Sequence, residues 1–124
     1  MANPNLNAAT TVLGDNSWVR LDNTTETLLV ANAANSNELL LIDSILVSNV
    51  DGTNACDITI NAYAAATNTG TATKIAHTVT VPADAVLLPI LKDTAMKLKE
   101  AQSLYAQASA GGDLHVIVNY TRLS

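Results

Sequence analysis

Apolar and polar residues alternate with a period of two through most of this 124-residue chain, which points to strands almost everywhere. In "ACDITINAYAA", residues 55–65, Cys56, Ile58, Ile60 and Ala62 fall on one side and Asp57, Thr59, Asn61 and Tyr63 on the other. Side chains change face at every residue only in an extended backbone, so this is a half-buried strand. "KIAHTVTV", residues 74–81, places Ile75, His77, Val79 and Val81 together, and Pro82 stops it. "DLHVIVNYTRL", residues 113–123, turns Leu114, Val116, Val118 and Tyr120 inward. Two further β-type runs, "TTETLLVANA" (24–33) and "ELLLIDSILVSN" (38–49), end in the turn-rich "ANSN" and "VDGTN". The Asp51-Gly52 pair is a tight-turn signal between two such runs and predicts a hairpin there. "AVLLPIL" (85–91) is a short buried strand that Pro89 marks as an edge or a bulge, because proline cannot donate a ladder hydrogen bond.

One stretch resists the pattern. In "AMKLKEAQSLYAQAS", residues 95–109, Met96, Leu98, Ala101, Leu104, Tyr105 and Ala108 make an apolar helical stripe, with good helix formers between them. The same residues also alternate, with Leu104, Ala106 and Ala108 on one face and Tyr105 and Gln107 on the other. Turn signals recur at intervals of about 8 to 12 residues elsewhere, the rhythm of an antiparallel sandwich or barrel. Two short strands, "AMKLK" and "SLYAQAS", broken at "EAQ", therefore fit better than a helix, and "AGGD" would turn the second of them into the last strand as a hairpin.

The core these strands bury must be aliphatic. The chain has 48% hydrophobic but only 3% aromatic residues, no Phe, and one Trp. Charged residues are 14% of the chain, well below the roughly 25% of an average soluble domain, so Asn, Thr, Ser and Ala must cover much of the surface. Such a surface suits extensive protein contact, since few charges need desolvation. The net charge of -5 and the scatter of Arg20, Lys74, Lys92, Lys97, Lys99 and Arg122 argue against nucleic-acid binding. No apolar run approaches the roughly 18 residues of a membrane span, and "MANPNLNAAT" carries no export signal. A lone cysteine, Cys56, fits synthesis in a reducing cytoplasm.

Residues 1–17 are Asn-, Ala- and Thr-rich without periodicity and are expected to form an irregular N-terminal arm, with a single sandwich domain over 18–124. The expectation is an all-β protein: one antiparallel β-sandwich, jelly-roll or Ig-like, of about eight strands.

"ILVSNVDGTNACDITINAY" and "KIAHTVTVPADAVLLPILKDTAMKLKEAQSLYAQASAGGDLHVIVNY" resemble small β-sandwich virion proteins of tailed bacteriophages, especially those of marine bacteria and cyanobacteria. The resemblance covers roughly residues 38 to 121 and rests on strand and turn residues. This chain has Ala101-Gln102 where the family commonly has Gly-Asp. The resemblance implies a structural protein of the particle's outer surface, first of all a capsid decoration or cement protein. A neck, tail or fibre component is the alternative it implies next. Its partners would be the major capsid protein or other virion proteins and further copies of itself, with no nucleic acid and no membrane.

The residues offer little to enzymology. His77 and His115 lack companions at metal-ligand spacing, and Cys56, alternating with Ile58 and Ile60, behaves as a small buried hydrophobe. No nucleophile elbow, P-loop or dinucleotide fingerprint is present, so no catalytic residue, metal or cofactor is expected. Asp51, Asn54 and Asp57 read as turn chemistry rather than a calcium loop, and the sequons at Asn23 and Asn119 as coincidence. Trp18 is expected to pin the arm to the sandwich. A sugar platform built from Trp18, Tyr63, Tyr105 and Tyr120 is the second alternative, making the chain a carbohydrate- or receptor-binding module. The residues expected to meet a partner are Asn3, Pro4, Asn5 and Leu6 of the arm, Trp18, and Asp51, Gly52, Thr53 and Asn54 of the first turn.

Overall fold

The computed structural model describes residues 11–124, and Asn3, Pro4, Asn5 and Leu6 lie outside them. Nine strands follow one another among the described residues: β1 (Val12–Leu21), β2 (Thr27–Asn32), β3 (Leu39–Asn49), β4 (Cys56–Tyr63), β5 (Thr73–Val81), β6 (Val86–Ile90), β7 (Met96–Leu98), β8 (Gln102–Ala108) and β9 (Leu114–Leu123). They form two antiparallel sheets, β1-β9-β3-β6 with β7 also on β3, and β2-β8-β4-β5. The pairings of β1 with β9, β2 with β8, β3 with β6 and β4 with β5 nest inside one another. A long antiparallel ribbon folded in half gives that nesting. Rolling the ribbon then brings β9 beside β3 and β8 beside β4. The expected all-β sandwich is therefore a jelly roll of nine strands, not an Ig-like domain.

Between the sheets lies the aliphatic core. Ile42, Ile45, Val47, Val116 and Val118 of one sheet and Ile58, Ile60, Leu104, Ala106 and Ala108 of the other belong to one buried cluster. Ile58 stands opposite Ala108 and Ile60 opposite Ala106, so large and small side chains alternate across that ladder. Each fully buried Leu, Ile or Val contributes about 1.5–3 kcal/mol by removing apolar surface from water, which lets a core without Phe hold the sandwich together.

The ambiguous segment is two strands, broken where the sequence suggested. β7 lies on β3 and β8 in the opposite sheet, so residues 99–101 carry the chain from one layer to the other. Ala101 takes a φ of 56° there, and the Gln102 side chain accepts the Lys99 backbone N–H at 2.8 Å. Pro89 meets both of its expectations, although the strand is not the buried one predicted, since Val86 and Leu88 are exposed on this edge. β6 is at the edge of its sheet, and its register against β3 shifts between Ile45 and Val47, opposite Leu88 and Pro89.

Four local expectations are corrected. The turn at 51–54 makes no hairpin: β3 and β4 lie in different sheets, and the turn is a crossover. The same holds for "AGGD", which carries β8 of one sheet into β9 of the other. A glycine turn between two alternating runs looks alike in both cases, because local chemistry reverses the chain without choosing the layer it returns to. The third correction is at the N-terminal boundary. The first strand begins at Val12, paired with Leu123, so residues 12–17 belong to the sheet. The fourth is on β5, where Ala76 is buried but His77 and Val79 are exposed, against the predicted shared face of Ile75, His77, Val79 and Val81. Two register shifts against β4 and a φ of 47° at Thr78 rotate the middle of the strand.

Candidate interaction face

The side chain of Trp18 is 77% exposed, which overturns its expected role of pinning the arm. β1 alternates: Val19 and Leu21 turn toward the core, so Trp18 and Arg20 turn outward. Trp18 pairs with Ile117 on β9, Ile117 pairs with Leu46 on β3, and Leu46 lies opposite the β6 bulge at Leu88 and Pro89. An apolar band thus crosses all four strands, about 14 Å at the usual strand spacing. Leu88 and Val86 on β6 are also exposed. Arg20 and His115 line a shallow recess with Trp18 and Ile117 on one side of the band. On its other side Asn119 donates to Ser44 at 3.0 Å and Thr121 to Asp43 at 2.9 Å. Ile117 and Leu46 in the middle of the band are half-buried, and its ends at Trp18 and Leu88 are exposed.

The structure does not bring the loop candidates together with Trp18. Asp51, Gly52, Thr53 and Asn54 leave the end of β3, two strands away from β1. Their turn is held by its own chemistry, as the sequence suggested for Asp51 and Asn54. The Asp51 carboxylate accepts the Thr53 and Asn54 backbone N–H groups at 2.8 and 3.1 Å. Those bonds, Thr53 first, keep the Asp51 carboxyl below the usual carboxylate range. Gly52 sits close to the Asp84 carboxylate, which leaves only van der Waals room for a side chain.

Aromatic residues are divided between the layers. Tyr63 and Tyr105 meet edge to face at 5.6 Å and belong to β4 and β8, in the sheet opposite Trp18. The Tyr63 hydroxyl donates to Glu26 at 2.6 Å, and Asn61 Nδ2 donates to the same carboxylate at 3.0 Å. The Glu26 bond is the main reason the Tyr63 hydroxyl is harder to ionise than a free phenol. Tyr120, on β9, donates to Asp15 at 3.2 Å. No single platform gathers the four rings.

Reactive groups are equally dispersed. Cys56 is buried at 2% exposure, with Ser109 Oγ at 3.4 Å from its sulfur. His77 lines a shallow recess with Asp57, Lys74, Thr78, Gln107 and Ser109, where Asp57 accepts from Thr80 at 2.8 Å. Among the described residues no three His, Cys, Asp or Glu side chains converge as a metal site would require, and no helix is long and apolar enough to cross a membrane.

Two buried side chains that tie the layers together were not singled out by the sequence. Asn49, at the end of β3, donates to Asn54 and Val81 carbonyls at 3.0 Å each, and Asn32, at the end of β2, donates to Glu38 and Leu98 carbonyls at 2.9 and 3.1 Å. Both are buried and both tie a strand end to the opposite layer. In a chain so rich in Asn, their only sequence signal was a place just before a turn.

No protein-family model and no curated protein matches the chain. Solved structures do. The fold is similar to a subunit of the Bacillus endospore appendages, a family of disulfide-linked pili, with a TM-score of 0.56 at 17% identity over 100% of this chain and 94% of that one. It is similar to a chain of the acidic stable capsid of Helicobacter pylori bacteriophage KHP30, with a TM-score of 0.55 at 8% identity, covering 94% and 90% of the two chains. A chain from the capsid of Ralstonia phage GP4 superposes with a TM-score of 0.50 at 15% identity, covering 98% and 90%. All three are assembly proteins by description. At these identities the likeness defines a fold: a jelly roll whose whole length is shared with subunits of protein shells and filaments.

Proposed function

We propose that this chain is a non-enzymatic structural protein of a bacteriophage particle, working as a decoration or cement protein on the outer surface of the capsid. The observation that carries the reading is the exposed band from Trp18 to Leu88 on a rigid sheet, in a molecule whose reactive side chains are scattered. Two phage capsid chains with the same fold along nearly their whole length support it. The mechanism is area and geometry. Many copies would bridge neighbouring coat subunits, so that modest contacts repeated by symmetry stabilise the shell. Because Cys56 is single and buried, such an assembly would be non-covalent.

The test is addition of the purified chain to expanded heads of its phage. Stoichiometric binding that raises the heads' resistance to heat is the expected result, and Leu88→Glu, which places a carboxylate in the band on an edge strand, should weaken it by tenfold or more. Absence of binding to heads would overturn the reading.

The likeness to a pilus subunit favours a second reading, a tail or fibre component built of the same fold. Counting copies against the major coat protein on purified particles separates the two: hundreds on a head surface, a few in a neck or fibre.

A further inference from the structure

Among the described residues each sheet of the jelly roll has two open edges, and three of the four are obstructed. β6 is short, bulged and contains Pro89; β5 is bulged, with Thr78 at a φ of 47°; β2 has six residues and a register shift at its middle. These are the devices by which sheet edges avoid pairing with other chains. β1 has none of them. It runs ten residues in unbroken register against β9, without proline, bulge or lysine.

Its hydrogen-bonding pattern can be read from its end. Thr11 and Ser124 exchange both backbone hydrogen bonds at 3.0 Å, so in an antiparallel ladder the odd residues of β1 point their N–H and C=O groups at β9. The even residues Val12, Gly14, Asn16, Trp18 and Arg20 direct theirs to the open edge. Of these, Val12, Asn16, Trp18 and Arg20 carry their side chains on the outer face of the sheet.

We infer that β1 pairs antiparallel with β1 of a second copy, about a two-fold axis at Asn16, joining the two outer sheets into one. The strand is self-complementary in that register. Gly14 faces Trp18 of the partner in both halves, and no heavy atom lies within 4 Å of where a Gly14 Cβ would stand. The exposed indole can therefore lie across the bare glycine backbone, a cross-strand contact that stabilises edge pairs. Val12 faces Arg20, and on the inner face Asp15 meets Ser17, so no like charges oppose. Sliding by one step the other way sets Asp15 against Asp15, which like-charge repulsion disfavours. A second copy is favoured over a foreign strand because the glycine and the indole needed on each side are both supplied by β1 itself. The inference stands on the strand alone and holds for the purified chain, whether or not the particle reading does.

Sedimentation of the full chain over rising concentration tests it, and twice the monomer mass is expected. Asn16→Pro removes an N–H on the open-edge side, which in the single chain reaches only the neighbouring Asp15 carboxylate at 2.8 Å, and leaves the β9 ladder intact, the one setting in which a strand tolerates proline. That variant should keep the far-UV spectrum and sediment as a monomer. Independently, Asn16→Cys should form a disulfide-linked dimer on mild oxidation, since directly opposed residues in an antiparallel pair have Cα atoms about 5.5 Å apart, within disulfide reach. Arg20→Cys, opposite Val12, should not. A chain that stays monomeric at every concentration, or an Asn16→Cys protein that cross-links no better than Arg20→Cys, overturns the inference.

Discussion

Ala101 occupies the left-handed region with a φ of 56°, a conformation that costs an L-residue about 1 kcal/mol or more and glycine almost nothing. The family pattern that the sequence resembles commonly has glycine at this turn, so the chain carries strain at the junction of β7 and β8. Ala101→Gly should raise stability by about 0.5–1 kcal/mol, read as a higher urea midpoint with an unchanged slope. Asn49 has the opposite sensitivity. Removing its buried amide with Asn49→Ala leaves the Val81 carbonyl without its donor and should cost about 1–3 kcal/mol, with Asn32→Ala behaving alike at the other crossover. In the Asn16→Pro background, which should be monomeric, Trp18→Ala at a side chain so exposed should change unfolding stability by no more than about 0.5 kcal/mol. A larger loss would mean the indole is packed after all.

At the scale of elements, the ends of β1, β3 and β9 are held by charge as well as by ladders. Arg122 on β9 forks onto Glu38, before β3, through Nη2 at 2.9 Å and Nε at 3.1 Å, and reaches Asp15 on β1 at 3.3 Å. Arg122 lowers the Glu38 carboxyl below the usual carboxylate range, while Asp15 is lowered first by the Asn16 N–H and then by Arg122. A carboxyl whose folded pKa is depressed adds stability above its unfolded pKa of about 4 and loses that stability as pH falls through the folded value. Arg122→Gln should therefore move the acid-unfolding midpoint to higher pH. The loss is greatest near neutrality and vanishes at low pH, and it should be small throughout, because the guanidinium is 40% exposed and well screened. The crossover at 109–112 is set by sterics instead. A Cβ on Gly111 would lie 2.6 Å from the Asp22 carbonyl oxygen, and Gly112 sits at a φ of 84°, so Gly111→Ala should cost about 1–3 kcal/mol in thermal or urea unfolding.

For the whole molecule, the nested ribbon means that the outermost pair joins Val12 to Leu123, nearly the full chain apart. Such long-range pairing is paid for in loop entropy before contacts reward it, so refolding should take milliseconds to seconds in a stopped-flow experiment, with microsecond folding excluded by the topology. The strand boundary also sharpens what a truncation would test. Deleting residues 2–17 removes over half of β1 and should destabilise the sandwich, whereas deleting 2–10 leaves β1 to β9 untouched and separates the effect on assembly from the loss of β1.

By itself the sequence determined that this chain is built of strands, where most of them stop, and that its core is aliphatic. Those properties are local: alternation, proline, glycine turns and residue type act over a few residues. Tertiary structure alone decided which layer each strand joins, because the turns at 51–54 and 109–112 read the same whether the chain returns beside itself or crosses to the other sheet. It also decided that His77 faces solvent, since alternation cannot foresee a bulge that rotates half a strand. Trp18 shows the same division most plainly. Its place on a strand was nearly legible, but its exposure was not, because a period of two states that one face is buried and leaves it to the other strands to choose which.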